Sequence, residues 1–379
     1  MKNKVIILIT IIFILFSCHT RPRISDELKT ESRVNKITFA AVGDNLFHDS
    51  LIRSSLLEDG TYDFSPIYTE IKDIIKGADL TFINQETIMG GTRFGYTGYP
   101  AFNTPQALAG TLADTGFHII NLANNHAMDK GRDALYSTLD FLNTFEQFTV
   151  IGARKEGPSA RIITKNNITL GFLSYTFSLN GIPLPRENPN LVSMIDRDKM
   201  TEEITALRPL CDFLIVSMHW GAEYLLEPDK FQTDTALFLA EQNVDLIIGH
   251  HPHVLQRVET LKRPDGRETL CFYSLGNFAS HQRERERIIG GMMVLTFKKE
   301  KMLAGKSELT ITDIGMLPII THYDRNFRNT KLYPLYAYTE ELLNSHRLLN
   351  EGAGLSYEFF NAVTGRLKTQ IITQNPFFK

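Results

Sequence analysis

Ten short apolar runs punctuate the chain, at 37–42, 80–83, 119–123, 149–152, 170–175, 213–218, 246–248, 270–274, 292–297 and 309–314. Each has the length and the aliphatic, β-branched character of a strand. Between many of them lie stretches with helical amphipathicity, at 65–76, 105–115, 132–145, 198–207 and 230–242. Strand and helix alternating in this way predict an α/β domain with largely parallel or mixed sheets. From about residue 324 the pattern changes. Segments 335–349 and 356–368 read as C-terminal helices, with Ser356 as the N-cap of the second. The reading is one domain over 36–323 and a helical cap over 324–379.

The ends of the runs constrain the chain further. Val42 leads into Gly43-Asp44-Asn45, Ile83 into Asn84-Gln85-Glu86, and Ala123 into Asn124-Asn125-His126. Met218 leads into His219-Trp220-Gly221-Ala222-Glu223, Ile248 into Gly249-His250-His251-Pro252-His253, and Leu275 into Gly276-Asn277-Phe278. In open α/β sheets, sites form outside the carboxyl ends of the strands, so these clusters can converge on one crevice.

Their chemistry supports convergence. Asp44 and Glu86 supply anionic oxygen, Asn125 an amide oxygen, and His219, His251 and His253 nitrogen. Pro252 fixes the turn between the last two. A mixed oxygen and nitrogen set without thiolate suits one or two divalent ions, Zn, Mn, Fe or Mg, and does not choose among them. Two ions held close together usually share a carboxylate, and Glu86 is the natural bridge. His126 follows Asn125 directly, and an imidazole free of metal can protonate a leaving group. Glu223 either orients His219 or meets substrate. Asn277 either bonds substrate or braces the histidine loop, and His250 is read as pointing away. Singly, Asp44 could start a turn, Asn124-Asn125 a left-handed loop, and His219 could be a core histidine. Jointly, those plainer readings need a coincidence at every strand end.

Other segments are less constrained. The loop 90–100, with Gly90, Gly91, Gly95 and Gly98 beside Tyr96 and Tyr99, is either a flap that grips substrate or a plain surface loop. Segment 282–287 alternates Arg and Glu and reads as a solvated face. Cys211 and Cys271 lie in or beside apolar runs and read as buried thiols. A net charge of −3 over 379 residues argues against nucleic acid as a partner.

At the N-terminus, Lys2 and Lys4 precede an apolar segment from Val5 to Phe16 that is too short for a comfortable membrane span. It ends in Leu15-Phe16-Ser17-Cys18, which resembles a bacterial lipoprotein box. The resemblance implies a signal peptide over 1–17, acylation of Cys18, and a polar tether over 18–35. The expected location is the cell envelope, with the protein exported and anchored to a membrane.

In order, Gly-Asp, a carboxylate, Asn-His, His, and His-x-His look like the calcineurin-like metallophosphoesterases. More narrowly, Asn124-Asn125-His126, His219-Trp220-Gly221-x-Glu223, His251-Pro252-His253 and Ser274-Leu275-Gly276-Asn277-Phe278 resemble the bacterial poly-γ-glutamate capsule synthesis proteins of the CapA type. The resemblance runs from about Lys36 to Thr296. It implies a four-layer α/β/β/α sandwich of the metallophosphatase kind. It places Asp44, Glu86, Asn125, His219, His251 and His253 on metal and His126 as the acid. It also implies work on an anionic polymer or its precursor, by metal-dependent hydrolysis or transfer, within a membrane synthase or export complex. Leu46 departs from the general phosphoesterase pattern, which has His there, so one donor is missing unless Asn45 or His48 reaches in. That departure keeps open a non-catalytic scaffold that binds polymer. An exported phosphoesterase is a further alternative.

Overall fold

The computed structural model describes residues 34–302 and 307–377. The segment expected to be a signal peptide, Cys18 and the expected tether as far as residue 33 lie outside the described residues. Among the described residues, fourteen strands form in chain order. The first seven are β1 (Val34–Asn45), β2 (Leu80–Gln85), β3 (Ile119–Asn121), β4 (Thr149–Ile151), β5 (Arg161–Lys165), β6 (Ile168–Thr176) and β7 (Phe213–His219). The rest are β8 (Leu246–His250), β9 (Val258–Lys262), β10 (Glu268–Phe272), β11 (Asn277–Ala279), β12 (Ile289–Lys301), β13 (Ser307–His322) and β14 (Lys331–Pro334).

They make two mixed sheets. One runs β14-β13-β12-β1-β2-β3-β4, with β11 beside the end of β1; the other runs β5-β6-β7-β8-β10-β9. Strands β1 to β4 are parallel, as are β6, β7, β8 and β10. Period-two alternation along the strands sorts the side chains into layers. Ile37, Phe39 and Ala41 of β1 pack against Ile168, Leu170 and Phe172 of β6 between the sheets. Ala40 and Val42 face the opposite way, onto helices Ala107–Thr115 and Gly131–Leu142. Leu173 and Tyr175 face helices Arg197–Leu207 and Lys230–Glu241. The result is the expected four-layer α/β/β/α sandwich.

Local signals set several of these boundaries. Asp229 and Gln232 form a capping box that starts Lys230–Glu241. Gly116 at φ 104° ends Ala107–Thr115 in the left-handed conformation. The expected helix over 65–76 is two short helices, Ser65–Tyr68 and Lys72–Lys76. The C-terminal segment carries helices Glu340–Ser345, Arg347–Asn350 and Tyr357–Gly365, the last capped by the Ser356 hydroxyl. It also supplies β14 to the first sheet. Leu343, Leu348, Phe360 and Val363 join the core between the sheets, so cap and domain share apolar burial. Among the described residues, no helix is long and apolar enough to cross a membrane.

Candidate metal centre

The carboxyl ends of β1, β2, β7 and β8 meet at one edge of the sandwich, and the chain crowds there. A Cβ on Gly43 would stand 1.9 Å from Gly276 O, and one on Gly249 would stand 1.9 Å from Tyr273 O. Glycine at both positions lets neighbouring backbones close on the site. After β8, His251 and His253 take φ of 96° and 59° on either side of Pro252. Left-handed backbone is costly for such residues and persists where surrounding structure enforces it. The amide of His251, 3.3 Å from Asp44 Oδ2, is one such tie.

All six expected donors come together. His253 Nδ1 lies 3.0 Å from Asp44 Oδ2, and its Nε2 lies 3.6 Å from Glu86 Oε1. His219 Nε2 lies 3.5 Å from Glu86 Oε1 and 2.9 Å from Asn125 Oδ1. Asp44, Glu86 and His219 are fully buried, and Asn125, His251 and His253 nearly so. Two groups can each surround an ion, Glu86-His219-His251 and Asp44-Glu86-His253, and Glu86 belongs to both. Glu223, although exposed, forms a third group with His251 and His253.

The electrostatics fit a cation. Burial would raise the Asp44 carboxyl, but the adjoining imidazoles of His250 and His253 outweigh it and hold Asp44 well below the usual carboxylate range. Burial, then the Asp44 charge beside it, push Glu86 well above that range. Burial and the neighbouring His251 hold His219 well below the ordinary histidine value. Burial and His253 hold His251 down to about 4. Glu86 Oε1, His219 Nδ1 and His251 Nδ1 are buried without a hydrogen-bond partner. Buried polar atoms are normally paired. Glu86, His219 and His251 each bring one donor atom within 4.8 Å of the others, and a carboxylate with two neutral imidazoles is a donor set that fits a divalent ion.

His126 stands beside this cluster. Its Nδ1 shares a 2.8 Å bond with Asp129 Oδ2, and Asp129 also accepts from the Phe102 amide at 2.7 Å. The Phe102 ring closes on the imidazole edge-on at 4.6 Å. Phe102 lies just beyond the loop 90–100, which Asn103 ties down by accepting from the Gly90 amide and donating to the Gly91 and Gly95 carbonyls.

Several sequence expectations change here. His250 does not point away: fully buried and stacked on Phe82, it turns Nδ1 toward Asp44 Oδ1 at 3.5 Å. Asn45 does not replace the donor missing at Leu46, because its side chain bonds Gln85 and Tyr68 instead. His48 is held at the Leu46 carbonyl and against Phe102, outside the candidate groups. Asn277 donates to Gln282 Oε1 and to the Arg287 carbonyl, so it braces segment 282–287. Asp129 was missed, although its position three residues after His126 was a usable signal. Asn84, which donates to Asp44 Oδ1 at 2.7 Å, was seen only as part of a strand end. Cys18 lies outside the described residues.

Comparison with known proteins gives the following. A family model described as "Bacterial capsule synthesis protein PGA_cap" matches residues 38–282. The chain is 30% identical over 212 residues to "PGA biosynthesis protein CapA" of Bacillus subtilis (strain 168), covering 54% of this chain and 52% of that one. It is 32% identical over 183 residues to "Capsule biosynthesis protein CapA" of Bacillus anthracis, covering 45% and 42%. The chain thus spans about half the length of the curated relatives it matches. Among solved structures it is similar to the NAD nucleotidase NadN of Haemophilus influenzae, at 13% identity over 91% of this chain and 66% of that chain, with a TM-score of 0.43. A putative 5'-nucleotidase from Staphylococcus aureus matches at 14% identity over 83% and 58%, also at 0.43.

Proposed function

The chain belongs to the bacterial capsule synthesis protein family PGA_cap, and from that premise we propose that it acts by metal-assisted hydrolysis or transfer in making or exporting an anionic surface polymer. The names of its Bacillus relatives, one for PGA biosynthesis and one for capsule biosynthesis, support poly-γ-glutamate or a related polymer. One observation carries the chemistry: donors from both sheets meet in a single buried cluster beside an imidazole held by a carboxylate.

Glu86, His219 and His251, with Asn125 adjoining, would hold one ion, and Asp44, Glu86 and His253 a second. When bound, divalent ions supply Lewis acidity and neutralise charge developing on a phosphoester or amide. With Nδ1 engaged by Asp129, His126 keeps Nε2 as the atom that hands a proton to the leaving group. Phe102 excludes water from one side of that ring. In the same reading, Cys18 carries a lipid that tethers the domain to a membrane, beside the machinery that makes or exports the polymer.

A second reading, a scaffold that binds polymer without turnover, draws on Leu46. That buried side chain occupies the sequence position at which the general phosphoesterase pattern has a histidine donor. Elemental analysis of purified protein, with turnover on an ester and amide panel, separates the two. The enzymatic reading expects divalent metal that Glu86→Ala removes, and turnover that His126→Ala abolishes. It fails if parent protein holds no such metal, or if polymer binds while no substrate turns over.

A further inference from the structure

Segment 282–287 reads from sequence as a solvated run of alternating charge, yet each of its arginines rests on an aromatic ring. Arg283 lies over Phe327 at 5.2 Å and Arg285 over Phe359 at 4.6 Å, both on the C-terminal segment. Arg287 lies over Tyr224 at 3.4 Å, on the side of the candidate site.

Two independent ties place Arg287 at the mouth of the crevice. Its carbonyl accepts from Asn277 Nδ2 at 2.9 Å, and Asn277 pairs in register with Asp44. The ring beneath its guanidinium belongs to Tyr224, whose amide donates to the Pro252 carbonyl at 2.8 Å, between the two paired histidines. The Tyr224 ring centroid is 6.1 Å from that of His253. Among the other charged groups acting on Tyr224, Glu223 and Glu284 are acidic.

We propose that Arg287 is the subsite that receives an oxyanion of the substrate, a carboxylate or a phosphate, beside the metal centre. The inference rests on the proposed reaction and names the charge its substrate carries. A guanidinium is suited to grip two oxygens of one such group, and stacking on an aromatic face holds it in place beforehand. Its present partner, Glu284 at 2.7 Å, is a half-exposed surface acid three residues away. Glu284 is the exposed member of that pair, so water solvates it when an incoming oxyanion takes its place on the guanidinium.

The test is isothermal titration of the purified full-length protein with two probes, a short γ-linked oligoglutamate and inorganic phosphate. Arg287→Gln is expected to weaken binding of at least one probe by about tenfold or more, the size of one charge-assisted contact. Arg287→Lys, which keeps charge but loses the fork, should fall between. Arg267→Gln, the same charge change on a distant hairpin, should match the parent. Loss for the oligoglutamate alone identifies a carboxylate subsite, and loss for phosphate alone a phosphate subsite. Parent-like binding of both probes by Arg287→Gln overturns the proposal, as does no measurable binding by the parent. Binding is read without turnover, so the subsite can fail while the metal-assisted reaction stands, and the reverse.

Discussion

The side-chain amide of Asn84 donates to Asp44 Oδ1 at 2.7 Å, deep below the candidate metal centre. That bond ends a buried relay. Ser174 Oγ donates to Asn121 Oδ1 at 2.6 Å, and Asn121 Nδ2 donates to Asn84 Oδ1 at 2.8 Å. Ser174 belongs to the second sheet and the other three to the first, so Asp44 is oriented across the seam between the sheets.

Asn84→Ala should therefore lower both stability and metal affinity. An unmatched buried polar partner costs about 1–3 kcal/mol, read as a lower urea midpoint. Loss of a group that orients a ligand typically weakens metal binding by about 10–100-fold, read by titration of stripped protein. Parent-like values in both assays would show that the relay does not hold Asp44.

Removing the acid and removing its support should differ in size. His126→Asn is expected to cut turnover by about 10²–10⁴-fold with the far-UV spectrum unchanged. Asp129→Asn leaves the imidazole in place but loosens its orientation, so its loss should be smaller and its pH profile altered. An Asp129→Asn enzyme as dead as His126→Asn would mean that the carboxylate does more than orient.

Gly249→Ala tests the packing that brings β8 to the site. The new Cβ would stand 1.9 Å from Tyr273 O and 2.7 Å from Trp220 Nε1, and the Tyr273 carbonyl is backbone that cannot swing aside. A loss of about 3 kcal/mol or more is expected, read as a lower melting temperature. A variant that melts with the parent would contradict this close approach.

The C-terminal segment should make stability depend on pH. His322 and His346 lie 5.3 Å apart, and burial holds each down to about 4, against the small opposing effects of Asp324 and the Thr321 carbonyl. Tyr338 shares a bond with His322, and Tyr323 packs on His346. Above about pH 6.5 both are neutral whether folded or unfolded, so neither alters stability. As pH falls toward 4, the unfolded chain takes up protons that the folded chain refuses, and stability drops by up to about 3 kcal/mol per group. Urea midpoints measured from pH 7 to 4.5 should fall, and less steeply in a His322→Gln, His346→Gln double variant. Equal slopes would mean that these imidazoles are not the source.

Much of this was legible because apolar strands ending in polar side chains leave a strong local signature. β7 and β8 are buried along their whole length, and their last residues are His219 and His250. What stayed hidden depends on partners distant in sequence. β5 alternates half-buried with exposed residues at a sheet edge, and β11 has only three residues, so neither has an apolar run to betray it. The direction of His250 and the ring under Arg287 were set by Phe82 and Tyr224, which no local pattern connects to them.

The placement of β1 has a consequence for timing. Asp44 lies between Asn84 on β2 and Asn277 on β11, and the strand before it pairs with β12, Val42 against Met292. Synthesis from the N-terminus delivers Asp44 early, and Asn277 and Met292 late. Contacts of such long separation are slow to form. The crevice is thus finished only when most of the chain has emerged, and any ion it holds arrives as a sign that folding is complete.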